Sequence, residues 1–418
     1  INAGHSVVYN GLKFAMQQIP VGWVNPNTKL VIGAGAYIHP DTLWREIDVI
    51  NAAMPDADVR DRLFIDFRCG IHTEANESSS KDANRHHRIG ATGKGCSEAI
   101  VSKIRDRNNG CELFINTGAG RAWRNKNKGK FVDTVRMLNG AIDDGSSILI
   151  EGTQGTLLDL HLGPYPFTTS RMTSAANWIA ECGLSPSLEY EVVLVCRTYP
   201  IRVAGNSGPM ENEIEWQDLA RTINAKLVMA GLPPRVNPAT LEEFEVSLRA
   251  AARRAIYEDR YEVPVLSGNS FNTRLSTYTP AERSAFRVAA SELHRDALGL
   301  CKPDTVDELK KLFEMTTVTK KLRRIAEMSI SDLELAIAIN RPAWIALTFL
   351  DYIEPALSNI SGEWLSSGGI GGTGAAMEAA TRASIYVDSL SARLGTPIKM
   401  VSTGPSPGHL FGAEDLNV

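Results

Sequence analysis

At 418 residues, 43% hydrophobic and 22% charged, the chain has ordinary globular composition and enough length for a sizeable core. A net charge of −4 excludes the basic footprint of a duplex nucleic-acid binder, and no apolar run approaches the length of a membrane span. Six cysteines without a CxxC pair suggest neither a zinc site nor a disulfide framework, so they read as reduced thiols of a cytoplasmic protein.

No signal peptide is recognisable, and the chain opens at Ile1 rather than Met, so a segment ahead of it is expected. His5–Tyr9 and Lys29–Ile32 read as short strands, Pro40–Ala53 as a helix and Leu63–Phe67 as a strand. The polar run 74–90 reads as an exposed loop. A glycine-rich turn, IGATGKGCSEA, leads into a helix over Glu98–Arg107. Phe131–Asp143 predicts a helix running into a strand, Ser147–Ile150, and the apolar run Glu191–Thr198 predicts a buried parallel strand. Residues 211–312 carry Glu, Arg, Ala and Leu at helical spacing, broken at Pro233-Pro234, and read as a mostly helical insertion. A basic stretch (318–326), a helix (Asp332–Asn340), a strand (Trp344–Phe349), a Gly/Ser-rich loop (361–374), a helix (Ala375–Leu394) and a strand (Ile398–Ser402) follow. Strands alternating with helices predict an α/β fold around a mostly parallel central sheet with flanking helices. The expected organisation is a first core part (1–210), the helical insertion (211–312) and a second core part (313–418).

Several segments carry chemistry. The GxGxxG run from Gly369 to Gly374 lacks a preceding strand and a later acid, so it reads as a loop capping a helix. In IGATGKGCSEA, glycines, Thr92 and a helix N-terminus suit an anion, with Lys94, Arg105 and Arg107 adding charge; a plain turn beside a solvated basic face is the alternative. VTKKLRR (318–324) is on its residues alone a solvated basic run, though it also suits a carboxylate or phosphate. His5, between Asn2, Gly4 and a strand, is either structural or part of a site. The opening segment, IALTFLD (345–351) and STGPSPGH (402–409) are expected at the carboxyl edge of the sheet, where α/β proteins bind ligands. Residues 151–156, EGTQGT, place a glutamine among flexible glycines and hydroxyls at the end of a predicted strand.

Taken in order, NAGHSVV, IGATGKG, EGTQGTLLD with GPYPFTTS, RVAGNSGP, TVTKKLRR, LTFLD and STGP resemble the adenylosuccinate synthetase family, a group in the P-loop-containing superfamily. Only the 211–312 insertion lies largely outside the likeness. The resemblance implies a ligase that joins L-aspartate to C6 of a purine nucleoside monophosphate. A nucleoside triphosphate first phosphorylates the 6-oxygen, with Mg2+ as cofactor. It implies that Gln154 hydrogen-bonds the 6-oxygen, that His5 stabilises charge there, and that Asn2, Thr92 and Thr169 hold the 5′-phosphate. Gly4 would offer its carbonyl to Mg2+, and Thr319, Lys321 and Arg323 would bind aspartate. Asp351 would read the triphosphate's base, walled by Ser402, Gly404 and Pro405. A homodimer is implied, with Arg107 or Arg105, of which Arg107 fits better, reaching the partner's nucleotide. The family's phosphate loop and general base are expected ahead of Ile1.

Three departures refine the reading. Lys321 stands where the family carries an arginine that also touches the ribose 2′-hydroxyl, which suits a deoxynucleotide. Phe349 replaces a lysine and would stack on any purine, opening the case for ATP or dATP. GNSGPM, TVTKKLRR and NRPAWIALTFLDY are most similar to the family's phage branch, the 2-aminoadenylosuccinate synthetases, which act on dGMP. Asn206 and Ser207 are candidates by position for reading its 2-amino group. The resemblance thus points to a ligase acting on dGMP. Its competitors are an IMP- and GTP-dependent enzyme and a non-catalytic nucleotide-binding paralogue.

Overall fold

The computed structural model describes residues 4–82, 89, 93–107, 113–126, 130–258, 280–316, 321–367 and 374–417. The chain divides into two compact units, Ile1–His86 with Gly93–Glu191, and His87–Thr92 with Val192–Val418.

The first unit opens with an antiparallel hairpin, β1 (His5–Tyr9) and β2 (Leu12–Met16), turned by Asn10-Gly11 at φ 49° and 75°. Among the described residues β1 pairs only with β2. The short strands β3 (Leu30–Ile32), β4 (Tyr37–Ile38), β5 (Leu63–Asp66), β6 (Gly70–Ile71) and β7 (Phe131–Val132) form two parallel sets, β3-β5-β7 and β4-β6. The helix Pro40–Ala53 joins β4 to β5. The His39 ring accepts from Thr42 N–H, Pro40 sits at the first helical position, and Leu43, Ile47 and Ile50 are buried at helical spacing. They pack with Phe14, Trp23 and Ile65.

Buried Asp66 anchors this unit. Its carboxylate accepts from Arg68 N–H, Nε and Nη2, each at 2.8 Å, and from Thr134 N–H (2.9 Å) and Oγ1 (2.6 Å). Burial works to raise its pKa, but these donors together hold it at about 2.

Three expectations for this unit are corrected. The run predicted as a loop begins as a helix, Glu74–Asp82. The Thr73 hydroxyl and Asn76 side chain bond each other's neighbourhood reciprocally (Thr73 N–H to Asn76 Oδ1 2.9 Å; Asn76 N–H to Thr73 Oγ1 3.4 Å), and Glu74 and Glu77 occupy the first turn. Phe131-Val132 is strand, and the helix starts only at Thr134 because the Asp133 side chain caps it. Ser147–Ile150 forms no strand, and Leu149 is 91% exposed: an apolar run becomes a strand only when a ladder partner and a covering layer meet it.

The second unit contains β8 (Val193–Arg197), β9 (Ile201–Arg202), β10 (Glu213–Ile214), β11 (Arg324–Ala326), β12 (Trp344–Thr348), β13 (Ile398–Ser402) and β14 (Leu410–Gly412). The main sheet runs β14-β13-β12-β8, parallel except for β14; β10-β11-β9 is a small antiparallel sheet. β8 was expected to be buried, yet Val195 is 67% exposed, because β8 ends the sheet order and one face is left open. Helix Gly374–Leu394 covers the sheet through Ala379, Ala383 and Val387 against Ile345, Leu347 and Val401. The helices Trp216–Met229, Pro238–Tyr257, Pro280–Leu300 and Pro303–Leu309 build a second core around Trp216, Ile223, Phe244, Leu293 and Phe313, which Tyr352 joins. This is the α/β architecture with a mainly parallel sheet and a helical segment.

The five described cysteines are free, and burial pushes the thiols of Cys69 and Cys196 up to about 12.

Candidate functional site

His5, on β1, is gripped at both ring nitrogens. Nε2 lies 2.8 Å from the Ile19 carbonyl, and Nδ1 lies 3.4 Å from Glu151 Oε1. The carbonyl is fixed in turn. Glu46, buried on the helix Pro40–Ala53, accepts from the N–H groups of Gln17 (2.7 Å), Gln18 (3.0 Å) and Ile19 (3.1 Å). Glu151 is held through Oε2 by Val21 N–H at 3.0 Å. With an acceptor at each ring nitrogen, the plane and position of the imidazole are fixed.

Glu151 begins the segment that carries Gln154, so the sequence motif and His5 meet physically. Gln154 has φ 73°, a left-handed backbone that is uncommon without glycine. Asp159 ties the segment together: it accepts from the N–H groups of His161 (2.9 Å), Leu162 (3.1 Å) and Thr173 (2.5 Å). Burial opposes its ionisation, yet these bonds lower its pKa. Thr169 N–H donates to Leu158 O (2.7 Å), folding the hydroxyl-rich turn back on the same segment. Gly4 is exposed beside His5. Arg105 is 70% exposed and paired with Asp106 (2.9 Å); Arg107 is exposed and donates to Ile104 O (2.8 Å).

In the second unit, β12 and β13 are parallel neighbours, so the residues after them share one sheet edge. Phe349 follows β12 at φ 61°, its carbonyl held by Thr198 Oγ1 (2.6 Å). The Arg197 guanidinium lies 3.6 Å from the centre of the Phe349 ring, and Arg197 also pairs with Glu314. Asp351 is buried and faces Arg235: Nη1 donates to Oδ2 at 3.0 Å and Nη2 to the Asp351 carbonyl at 3.2 Å. Burial raises the Asp351 carboxyl to about 6, against the opposing pull of Arg235. After β13, Ser402 Oγ donates to Gly404 O (3.2 Å), and Pro405 is exposed. A Cβ at Gly404 would sit 2.4 Å from His409 Nδ1 and 2.5 Å from Asn359 Oδ1, so a larger residue there would have to displace those two side chains.

Lys321 N–H donates to Thr316 Oγ1 (2.9 Å), and Thr316 N–H donates to the Lys321 carbonyl (2.8 Å). Arg323 is half-buried; burial lowers its pKa, and its N–H donates to Glu314 O (2.9 Å). Ser207 is committed within the protein, donating to Val203 O (2.5 Å) and accepting from Arg324 Nη1 (3.1 Å). Asn206 is buried beside it. Asn2, Thr92, Thr319 and residues 368–373 of the glycine-rich loop lie outside the described residues. Among the described residues no cluster of three His, Cys, Asp or Glu side chains could hold a metal, and no helix is long and apolar enough to cross a membrane.

Sequence reasoning missed Glu151, Glu46, Arg197 and Arg235. Glu151 stood in view three residues before Gln154. Arg235 gave no local signal, since its partner lies 116 positions away.

The family model for adenylosuccinate synthetase matches residues 1–117 and 116–361. The chain belongs to the adenylosuccinate synthetase family. It is 37% identical over 216 residues to adenylosuccinate synthetase of Methanocaldococcus jannaschii, covering 51% of this chain and 58% of that protein. It is 35% identical over 219 residues to that of Pyrococcus horikoshii, covering 52% and 60%. The match thus spans less than two thirds of these relatives' length. The fold is similar to that of cyanophage S-2L succinoaminodeoxyadenylate synthetase bound to dGMP and dATP (TM-score 0.59, 23% identity, 99% of this chain and 85% of that chain). It is also similar to that of fully ligated Plasmodium falciparum adenylosuccinate synthetase (TM-score 0.62, 18% identity, 98% and 91%).

Proposed function

We propose that the protein is a ligase that joins L-aspartate to C6 of dGMP with ATP or dATP, giving 2-amino-2′-deoxyadenylosuccinate, the nucleoside diphosphate and phosphate, for 2-aminoadenine DNA synthesis in a phage-infected cytoplasm. The observation that carries the reading is the meeting of His5 with the segment of Gln154 through Glu151. In the first step N1 of the purine loses its proton and the 6-oxygen takes the γ-phosphoryl group. His5 and Gln154 stabilise the charge on that oxygen, positioning and electrostatics being most of such catalysis. In the second step the aspartate amine attacks C6 and the phosphate leaves.

Asn2, Thr92 and Thr169 hold the 5′-phosphate, with Asn206 and Ser207 near C2. Thr319, Lys321 and Arg323 bind aspartate. Phe349 gives the triphosphate's base a flat surface, Asp351 reads its edge, and Ser402, Gly404 and Pro405 wall it. Mg2+ would neutralise the triphosphate; it is commonly held by phosphates and waters with few protein oxygens, so a single carbonyl, that of the exposed Gly4, would suffice without an acidic cluster. A homodimer in which Arg107, or else Arg105, reaches the partner's nucleotide is supported by the same helix, Cys96–Arg105. There Val101 and Ile104 are 50% and 57% exposed on one face. The cyanophage neighbour's bound dGMP and dATP favour the phage-type reading. The archaeal relatives' names favour a second reading, IMP with GTP.

Phosphate release by the full-length protein with aspartate, Mg2+ and ATP, supplied with dGMP or IMP in parallel, tests this. Turnover with dGMP alone is expected. Turnover with IMP alone would establish the second reading, and silence with both, GTP included, would leave a nucleotide-binding paralogue.

A further inference from the structure

The helical segment sends one side chain to the candidate base-reading carboxylate. Arg235 lies between the helices Trp216–Met229 and Pro238–Tyr257. Its position is fixed by buried Asn224, whose Oδ1 accepts from Arg235 N–H (2.9 Å) and Val236 N–H (3.3 Å) and whose Nδ2 donates to Val236 O (2.7 Å). From there the guanidinium reaches Asp351 Oδ2 and the Asp351 carbonyl, and both side chains are nearly buried, 12% and 10% exposed.

A carboxylate with two open oxygens suits guanine, whose N1–H and 2-amino group donate side by side. Adenine presents one donor at this edge, its 6-amino group, next to an acceptor, N1. We propose that Arg235 sets the donor nucleotide: its guanidinium covers the Oδ2 side of Asp351 with a cation, which an adenine N1 acceptor tolerates and a guanine N–H donor does not. A guanine there would turn one N–H towards a cation, the repulsive element from which selectivity is built. The helical segment thus contributes a specificity residue to the site. This deepens the proposed function, since it rests on Asp351 as the base reader.

The test is equilibrium binding of ATP and of GTP to the full-length protein by titration calorimetry, which needs no turnover and no choice of monophosphate. Wild type is expected to prefer ATP at least about tenfold, as one mismatched hydrogen-bonding group commonly gives. Arg235→Gln, shorter and neutral, frees Oδ2 and should move the ATP:GTP ratio towards GTP by about tenfold. Arg235→Lys keeps a cation at Oδ2 and should stay near wild type. Because the readout is a ratio, general weakening of the fold moves both nucleotides together and leaves it unchanged. An unchanged ratio in Arg235→Gln, a wild type that prefers GTP, or a wild type that binds neither would overturn the proposal. The dGMP and IMP assays decide the proposed reaction separately.

Discussion

Asp66 in the first unit and Asp351 in the second are both buried aspartates beside an arginine, yet their environments do opposite things. Asp66 is saturated: five donors from Arg68 and Thr134 fill its two oxygens and hold it at about 2. Asp351 is under-supplied: burial dominates and raises it to about 6, although Arg235 pulls the other way. A saturated carboxylate has nothing left to offer and is structural. One left short of donors, at an energetic cost, keeps acceptor capacity for something that arrives later. The difference marks Asp66 as a brace and is what the proposed recognition role of Asp351 calls for.

Substitution is the largest test of that contrast. Asp66→Asn should destabilise by about 3–5 kcal/mol, the loss typical of breaking one member of a buried charged network. Asp351→Asn should cost only about 1–2 kcal/mol, because fewer bonds are lost, while abolishing donor-nucleotide selectivity. Urea denaturation compares the two, and equal losses would erase the distinction. Next, His5→Ala should lower kcat by about 10²–10³, the range for removing one charge-stabilising donor, with little change in melting temperature because its pair with Glu151 is partly exposed. Glu151→Gln keeps the hydrogen bond to Val21 and removes the charge facing His5. Steady-state kinetics should show a drop in kcat of about tenfold, with KM for aspartate unchanged.

The smallest effect is on pH dependence, and its sign differs between the two aspartates. The raised Asp351 contributes stability that is full below its unfolded value, near 3.9, and lost as pH rises through about 6. The depressed Asp66 contributes stability present above about 3.9 and lost as pH falls through about 2. Affinity for the triphosphate should therefore decline below about 6, as protonation removes the acceptor facing Arg235 and Arg197, while circular dichroism stays native. Replacing Arg235 by Gln should move that midpoint upward.

Local signals translated well into structure. Pro40–Ala53 was legible from its proline start and apolar spacing, and β12 and β13 from short apolar runs. Ser147–Ile150 had the same kind of run and failed as a strand, since periodicity cannot tell whether a neighbouring ladder exists. Helix Glu74–Asp82 was hidden by its polar composition, although Thr73 and Asn76 carried its cap. His5 and Gln154 stood out because they sit in motifs. Glu46 and Arg235 did not, because a buried acid gripping three amides and an arginine meeting a remote carboxylate are facts of tertiary structure.

Asn224 holds Arg235 on a short connection between two helices, whereas Asp351 lies in the helical turn that follows a core strand. The two halves of the pair can therefore change independently. A lineage facing a shift in the cell's balance of triphosphates could alter its fuel by retuning that connection alone, leaving the strand, its sheet and the acceptor chemistry as inherited. The helical segment is, in this sense, an evolutionary dial.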